Sequence, residues 1–357
     1  MMTLASPHRI ASRLSLLLTL AIPRAVAGQC VTKASSCTEF VPVGPGSGRI
    51  LVYRNRPLTT PNDTVTRALI VVHGAGGPAR WEFRNVLASA FLTGNLETTV
   101  IVAPHFATND GSACTDSLAV NELNWNCDIA LGDWRVGGRA RNDSATSSFD
   151  AMDAIVLKVA SRAVFPNLKS IVVAGHSAGG QFVALYQAVN RIHERLGVST
   201  FYVVANASAY PYLDDRRPFA VAPPAGDARG QSAFEFRPFD AGSCPNYASW
   251  PFGISKRTAY AAGVSGSQLK EQAIRRPVTF LLSQLDVDTP SGFFGSCGPM
   301  AQGRSRQARG LAFAQYLTEF NRQGFHKVIV VEACGHDARC VFTSDDALPA
   351  LFPKTPQ

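Results

Sequence analysis

The sequence predicts an α/β fold in which a mostly parallel central sheet carries helices on both faces. Short runs rich in β-branched residues alternate along the chain with longer segments of helical periodicity, which is typical of a parallel sheet buried between helices. With 357 residues, 46% hydrophobic and 17% charged, the chain can bury one large core or two modest ones.

Each element is predicted from its own run of residues. The predicted strands are Ile50–Tyr53, Ala68–Val72, Thr99–Ala103, Ser170–Ala174, Phe201–Ala205, Val278–Ser283 and Lys327–Glu332. The predicted helices are Trp81–Leu92, Ser148–Phe165, Ala178–Leu196 and Arg304–Gln323. The start of the second helix is the best defined, because Ser147 and Asp150 have the spacing of a capping box.

Residues 1–27 have the pattern of a secretory signal peptide. Arg9 and Arg13 precede an apolar run over 14–22, and the small residues 25–27 end the segment. The run is too short to cross a bilayer, for which about 20 apolar residues are needed. We therefore expect a secreted protein, extracellular or periplasmic; an anchored N-terminal helix is the alternative.

The remaining chain, 28–357, is predicted to form a single domain with two long insertions. These are 105–146 and 208–274, both too long for plain connections between elements. The second is rich in proline and aromatic residues. We expect most of these aromatic side chains to anchor the insertion to the core, and a few to line a pocket for an apolar or aromatic group.

Eight cysteines follow the predicted signal peptide. An even number behind an export signal predicts disulfides, although sequence leaves 105 pairings open. We expect nearest neighbours to pair: Cys30 with Cys37, Cys114 with Cys127, Cys244 with Cys297, and Cys334 with Cys340. Metal binding would call for CxxC pairs or clustered histidines, which the sequence lacks, so we expect no metal.

The net charge of +8 indicates little about partners. Removing the signal segment takes away three arginines and no acid, which lowers the charge to +5. The basic residues are scattered and form no basic helix face, so we expect no nucleic-acid partner. Sequence gives no indication of the oligomeric state.

Ser177 lies at a predicted turn from strand to helix, in the string GHSAGG. A nucleophile at such a turn has a strained backbone and needs small residues two positions away on either side. Gly175 and Gly179 meet that need, so we predict a nucleophile; the alternative is a serine in a tight turn. The adjacent His176 is expected to pack at the turn and not to act as a base.

With this turn, the sequence resembles the α/β-hydrolase family over residues 50 to 345. A second motif, His73 to Gly77 (HGAGG), stands at the end of a strand, where the family has a loop that donates an oxyanion-hole amide. The resemblance implies that Ala75, or else Gly76, supplies one amide and Ala178 the other. His73 is expected to hold the loop.

The resemblance also implies an acid after a late strand and a histidine after the last strand. Asp286 is the preferred acid, with Asp288 or Asp214 as alternatives, and His336 is the base. The order serine, aspartate, histidine is that of the family. Cys334 and Cys340 bracket the histidine, so a disulfide there would stiffen its loop.

The function implied is hydrolysis of carboxylic esters by a secreted serine esterase, similar to polyester depolymerases and feruloyl esterases. The substrate would be a small or polymeric ester, cleaved through an acyl-enzyme intermediate with no cofactor. The alternatives are a serine peptidase of the same fold and a non-catalytic binding protein with that fold.

Overall fold

The computed structural model describes residues 29–31, 35–128, 132–221, 233–288, 294–320 and 324–354; the predicted signal peptide lies outside them. The strands are β1 (Thr38–Pro42), β2 (Arg49–Arg54), β3 (Arg67–Val72), β4 (Thr99–Pro104), β5 (Ser170–His176), β6 (Ser199–Ala205), β7 (Arg216–Val221), β8 (Ala233–Pro238), β9 (Val278–Ser283) and β10 (His326–Val331). The α-helices are α1 (Ala79–Leu92), α2 (Ser148–Val159), α3 (Ala178–Val189), α4 (Ala259–Ala262), α5 (Gly266–Arg275), α6 (Cys297–Met300), α7 (Arg306–Thr318), α8 (Ala338–Thr343) and α9 (Leu348–Leu351).

Eight of the strands form one sheet in the order β1-β2-β4-β3-β5-β6-β9-β10. From β4 to β10 the neighbouring strands are parallel, while β1 and β2 join one edge in antiparallel pairs. The mostly parallel sheet predicted from the sequence is therefore confirmed. Parallel strands end at a common edge, so residues that follow β5, β6, β9 and β10 can meet there.

Both faces of the sheet are covered, as predicted. In β3, Ala68, Ile70 and Val72 belong to one apolar cluster, whereas Leu69 and Val71 belong to the other. The first cluster contains buried side chains of α2, α3, α5 and α7, and the second contains those of α1, α8 and α9. Strand alternation thus divides the core into two layers.

Three predicted helices end earlier than expected. Helix α2 begins at the predicted capping box but ends at Val159. Helix α3 ends at Val189, because the side chain of Asn190 donates to the carbonyl of Tyr186 and accepts from the N–H of His193. The N–H of His193, which would bond to the carbonyl of Val189 in a longer helix, is satisfied by this side chain instead. The last helix, predicted to run to 323, ends at Thr318 with Glu319 as its C-cap.

The second predicted insertion is less irregular than expected, since it contains the antiparallel pair β7–β8, helix α4 and most of α5. Arg217 of β7 is fully buried and donates to the carbonyls of Tyr247 and Phe252. Tyr210 and Tyr212 are also fully buried and pack against the core. These side chains anchor the segment, as we predicted for most of its aromatic residues.

All eight cysteines form the nearest-neighbour pairs that the sequence predicts. The Cα–Cα distances are 5.2, 6.1, 5.7 and 5.8 Å along the chain, within the range usual for disulfides. Within the described ranges, none of the helices combines the length and apolar character that crossing a bilayer requires.

Candidate active site

Ser177 occupies a strained turn between the central strand β5 and helix α3. Its backbone angles are φ 59° and ψ −117°, outside the regions that most side chains adopt. The turn is tightly packed: a Cβ on Gly175 would lie 2.2 Å from the carbonyl oxygen of Gly179, and one on Gly179 would lie 2.1 Å from that of Val72. Only glycine therefore fits at these two positions, as the sequence predicts.

His336 connects Ser177 to Asp286 through two hydrogen bonds. Its Nε2 is 2.9 Å from Oγ of Ser177, and its Nδ1 is 2.7 Å from Oδ2 of Asp286. When Nδ1–H donates to the carboxylate, Nε2 is left as an acceptor for the serine hydroxyl. The structure thus brings together the three residues that the sequence selects from three distant segments.

Asp286 is the one of the three candidate acids that contacts the histidine. Its side chain is buried, and Asp288 is exposed. Asp214 lies instead in an ion pair with Arg216 at 2.9 Å. The alternatives that the sequence left open are therefore not supported by the geometry.

Arg306 is a neighbour of this acid that the sequence analysis missed. Its Nη1 lies 3.6 Å from Oδ1 of Asp286, on the side opposite the oxygen that faces His336. Burial lowers the pKa of Arg306, and the carboxylate of Asp286 raises it. The arginine stabilises the ionised acid. In the sequence, Arg306 is one arginine in the first turn of a predicted helix, and no motif there indicates a contact with Asp286.

His176 is buried beside the same histidine. Its ring centroid lies 4.6 Å from that of His336, and its Nε2 accepts a hydrogen bond from the Asn206 amide at 3.2 Å. Burial, with the nearby charges of His336 and Arg306, holds its pKa well below the ordinary value of 6.5. His176 is thus a neutral packing partner of His336.

The loop over 73–77 is fixed by His73. The ring is buried, its Nδ1 donates to the carbonyl of Gly74 at 2.7 Å, and its Nε2 accepts from the N–H of Phe106 at 3.1 Å. Burial lowers its pKa to about 4, so both bonds suit the neutral ring. Ala75 and Gly76 lie on this loop, and Ala178 is the first, buried residue of α3.

Ser177 and His336 face an open cleft of about 400 Å³. The glycine-rich loop 74–77 forms one wall. The other lining residues are His176 and residues of α1 and of the start of α8 with its N-cap: Trp81, Glu82, Asn85, Asp337, Ala338 and Arg339. None of the described residues that line the cleft comes from 208–274. The expectation that aromatic residues of that segment line the pocket is therefore wrong for this cleft.

Glu82 is a buried acid in the wall of the cleft. Burial raises its pKa to about 7, against hydrogen bonds from the Asn85 side chain and the Gly74 backbone that lower it. The Asn85 amide donates to its Oε2 at 2.9 Å. Glu82 is on α1 and contacts the backbone of Gly74, so it links the glycine-rich loop to this helix.

The loop that carries His336 is closed by the disulfide between Cys334 and Cys340. Asp337 caps α8 by accepting from the N–H of Cys340 at 2.7 Å. The disulfide thus joins the loop before His336 to helix α8. Among the described residues, no group of three or more His, Cys, Asp or Glu side chains is placed to hold a metal ion.

Comparison with known proteins identifies the fold. A family model described as the alpha/beta hydrolase family matches residues 69–350. A poly(3-hydroxybutyrate) depolymerase from Bordetella parapertussis is similar in structure, with a TM-score of 0.58 and 16% identity over 90% of this chain and 92% of the other. Poly(aspartic acid) hydrolase-1 from Sphingomonas sp. KT-1 is also similar, with a TM-score of 0.56 and 18% identity over 85% of this chain and 95% of the other. No curated protein matches the chain by sequence.

Proposed function

This chain belongs to the alpha/beta hydrolase family, and from that premise we propose that it hydrolyses carboxylic esters through an acyl intermediate on Ser177. The observation that carries the proposal is the pair of hydrogen bonds, 2.9 and 2.7 Å, that connects Ser177 through His336 to Asp286. Serine, base and acid in this arrangement form the apparatus of nucleophilic acyl transfer on several unrelated folds.

In the first half of the reaction, Oγ of Ser177 attacks the ester carbonyl carbon while Nε2 of His336 takes the hydroxyl proton. Asp286 holds the ring in the tautomer that can accept this proton and stabilises the imidazolium that results. The proton then passes to the oxygen of the leaving alcohol, and the carbon–oxygen bond of the ester breaks. An acyl group remains on the serine.

In the second half, a water molecule attacks the acyl carbon and His336 again takes the proton. Collapse of the intermediate returns the proton to Ser177 and releases the carboxylic acid. Two backbone amides would bind the oxygen that becomes negative in each half: that of Ala75 or Gly76, and that of Ala178. One such donor is typically worth about 3 kcal/mol of transition-state stabilisation.

Three further features support an exported esterase. The similar structure that is named a depolymerase acts on a polyester, which agrees with an ester substrate. The four disulfides suit an oxidising compartment, in keeping with the signal peptide predicted at 1–27. The cleft is open, so it would admit a small ester or a chain end of a polymeric one, and the mechanism uses no cofactor.

Hydrolysis of 4-nitrophenyl acetate and butyrate tests the proposal. We expect Ser177→Ala and His336→Ala each to lower kcat by about 10⁴-fold or more. Ser267→Ala, which alters an exposed serine of α5, is the matched control and should keep the wild-type rate. Equal rates for Ser177→Ala and the wild type would reject the proposal, and cleavage of peptides in place of esters would favour the peptidase.

A further inference from the structure

We propose that α1 and α8 form a subsite that binds a carboxylate on the alcohol part of the ester, through Arg84, Arg339 and Trp81. The inference rests on the proposed function, because it names the substrate class of the same site. The substrates would be esters of hydroxy acids with an aromatic or apolar body.

The subsite is a cavity of about 260 Å³ next to the cleft of Ser177, lined by Trp81, Arg84, Asn85, Ala88 and Arg339. The four residues of α1 have the spacing i, i+3, i+4 and i+7, so they share one face of the helix. Three of the five, one from α8 and two from α1, also line the cleft of Ser177. A ligand can therefore extend from the cleft into the cavity.

Charge favours an anion in this cavity. Arg84 and Arg339 are exposed, and neither forms an ion pair with a described residue. No carboxylate is among the described residues that line it. The two acids Glu82 and Asp337 line the cleft of Ser177 but not this cavity. Guanidinium groups bind carboxylates through paired, charge-assisted hydrogen bonds.

Trp81 supplies the apolar part of the subsite. Its side chain is 54% exposed, although it lies on a helix whose other large apolar residues at this end, such as Phe83, are buried. A half-exposed indole beside two guanidinium groups can stack on a ring or an aliphatic chain. Ala88, which has a short side chain, also lines the cavity. The chemistry fits an apolar body that ends in a carboxylate.

The position of the cavity relative to His336 indicates which half of the ester it holds. His336 gives its proton to the leaving oxygen, so the leaving alcohol lies on the side of the histidine. Helix α8 starts directly after the histidine loop, and Arg339 is its second residue. The carboxylate thus belongs to the alcohol and not to the acyl group.

A pair of probes that differ in charge but share shape tests the subsite: 4-acetoxybenzoate and its neutral analogue 4-acetoxybenzamide. The ratio of interest is kcat/KM for the benzoate divided by kcat/KM for the benzamide. We expect the double variant Arg84→Gln, Arg339→Gln to lower this ratio about 10-fold, in keeping with the loss of a charge-assisted hydrogen bond. Arg275→Gln, which alters an exposed arginine of α5, should keep the wild-type ratio. An unchanged ratio in the double variant would overturn the subsite.

Binding in the absence of turnover separates this inference from the proposed function. In a Ser177→Ala background, calorimetry should detect 4-hydroxybenzoate but not 4-hydroxybenzamide, and the double arginine variant should lose that binding. If the wild type cleaves no ester and this binding is still found, the esterase proposal fails and the subsite stands. If esters are cleaved and the benzoate does not bind better than the benzamide, the subsite fails alone.

Discussion

The buried carboxyl group of Glu82 makes the stability of the fold depend on pH in a direction that can be worked out. Burial raises its pKa from 4.5 to about 7, so between these values the folded protein keeps a proton that the unfolded chain has released. The free energy of unfolding therefore falls as the pH rises from 4.5 to 7, and then stays level. This shift in the pKa of Glu82 corresponds to a change of about 3 kcal/mol in the free energy of unfolding.

Glu82→Gln removes this titration while it keeps the shape of the side chain. We expect the difference in unfolding free energy between variant and wild type to move in favour of the variant by about 3 kcal/mol from pH 4.5 to pH 8. Urea unfolding at a series of pH values measures that difference. The comparison isolates Glu82 from other buried groups, such as Asp153, whose pKa burial raises to about 6.

The matched control is Glu271→Gln, at an exposed position of α5 where the side chain is 60% accessible. The difference in unfolding free energy between this variant and the wild type should not change over the same pH range. If the difference for Glu82→Gln does not change with pH either, the Glu82 carboxyl group ionises in the folded protein as it does in the unfolded chain. That result would refute the role assigned to burial.

Three further substitutions test how the turn, the histidine loop and the acid are built. Gly179→Ala places a Cβ 2.1 Å from a backbone carbonyl oxygen, so urea unfolding should show a loss of about 3 kcal/mol; a stable variant would contradict the close approach. Replacing both Cys334 and Cys340 by Ser, which opens a short loop of sequence separation 6, should lower stability by about 2 kcal/mol and also lower kcat; no change in either would reject the stiffening role. Asp286→Asn should lower kcat for 4-nitrophenyl acetate about 10⁴-fold with little effect on the melting temperature, and a near wild-type kcat would contradict its role.

Much of this arrangement could be predicted because it is encoded locally. The strand before Ser177 is a run of buried β-branched residues, the glycines beside it meet a steric need, and the helix follows at once. These signals lie within short windows of sequence. Asp286 and His336 are selected differently, because the resemblance to the α/β-hydrolase family implies an acid and then a histidine after the late strands.

Other features depend on contacts between distant segments, which a single sequence does not display. Asp286 and Asp288 follow the same strand, and only the packing buries the first beneath His336. Arg306 reaches Asp286 from helix α7. Glu82 did leave a signal that could have been used, since it lies four residues before the buried Val86 on the apolar face of α1.

Covalent labelling tests the central claim most directly. An alkyl fluorophosphonate mimics the tetrahedral intermediate and reacts with a serine only when a base activates the hydroxyl group. We expect mass spectrometry to find one phosphonyl group on the peptide that contains Ser177, and expect labelling to slow strongly in His336→Ala. Labelling of a different residue, or an equal rate of labelling in Ser177→Ala, would contradict the account.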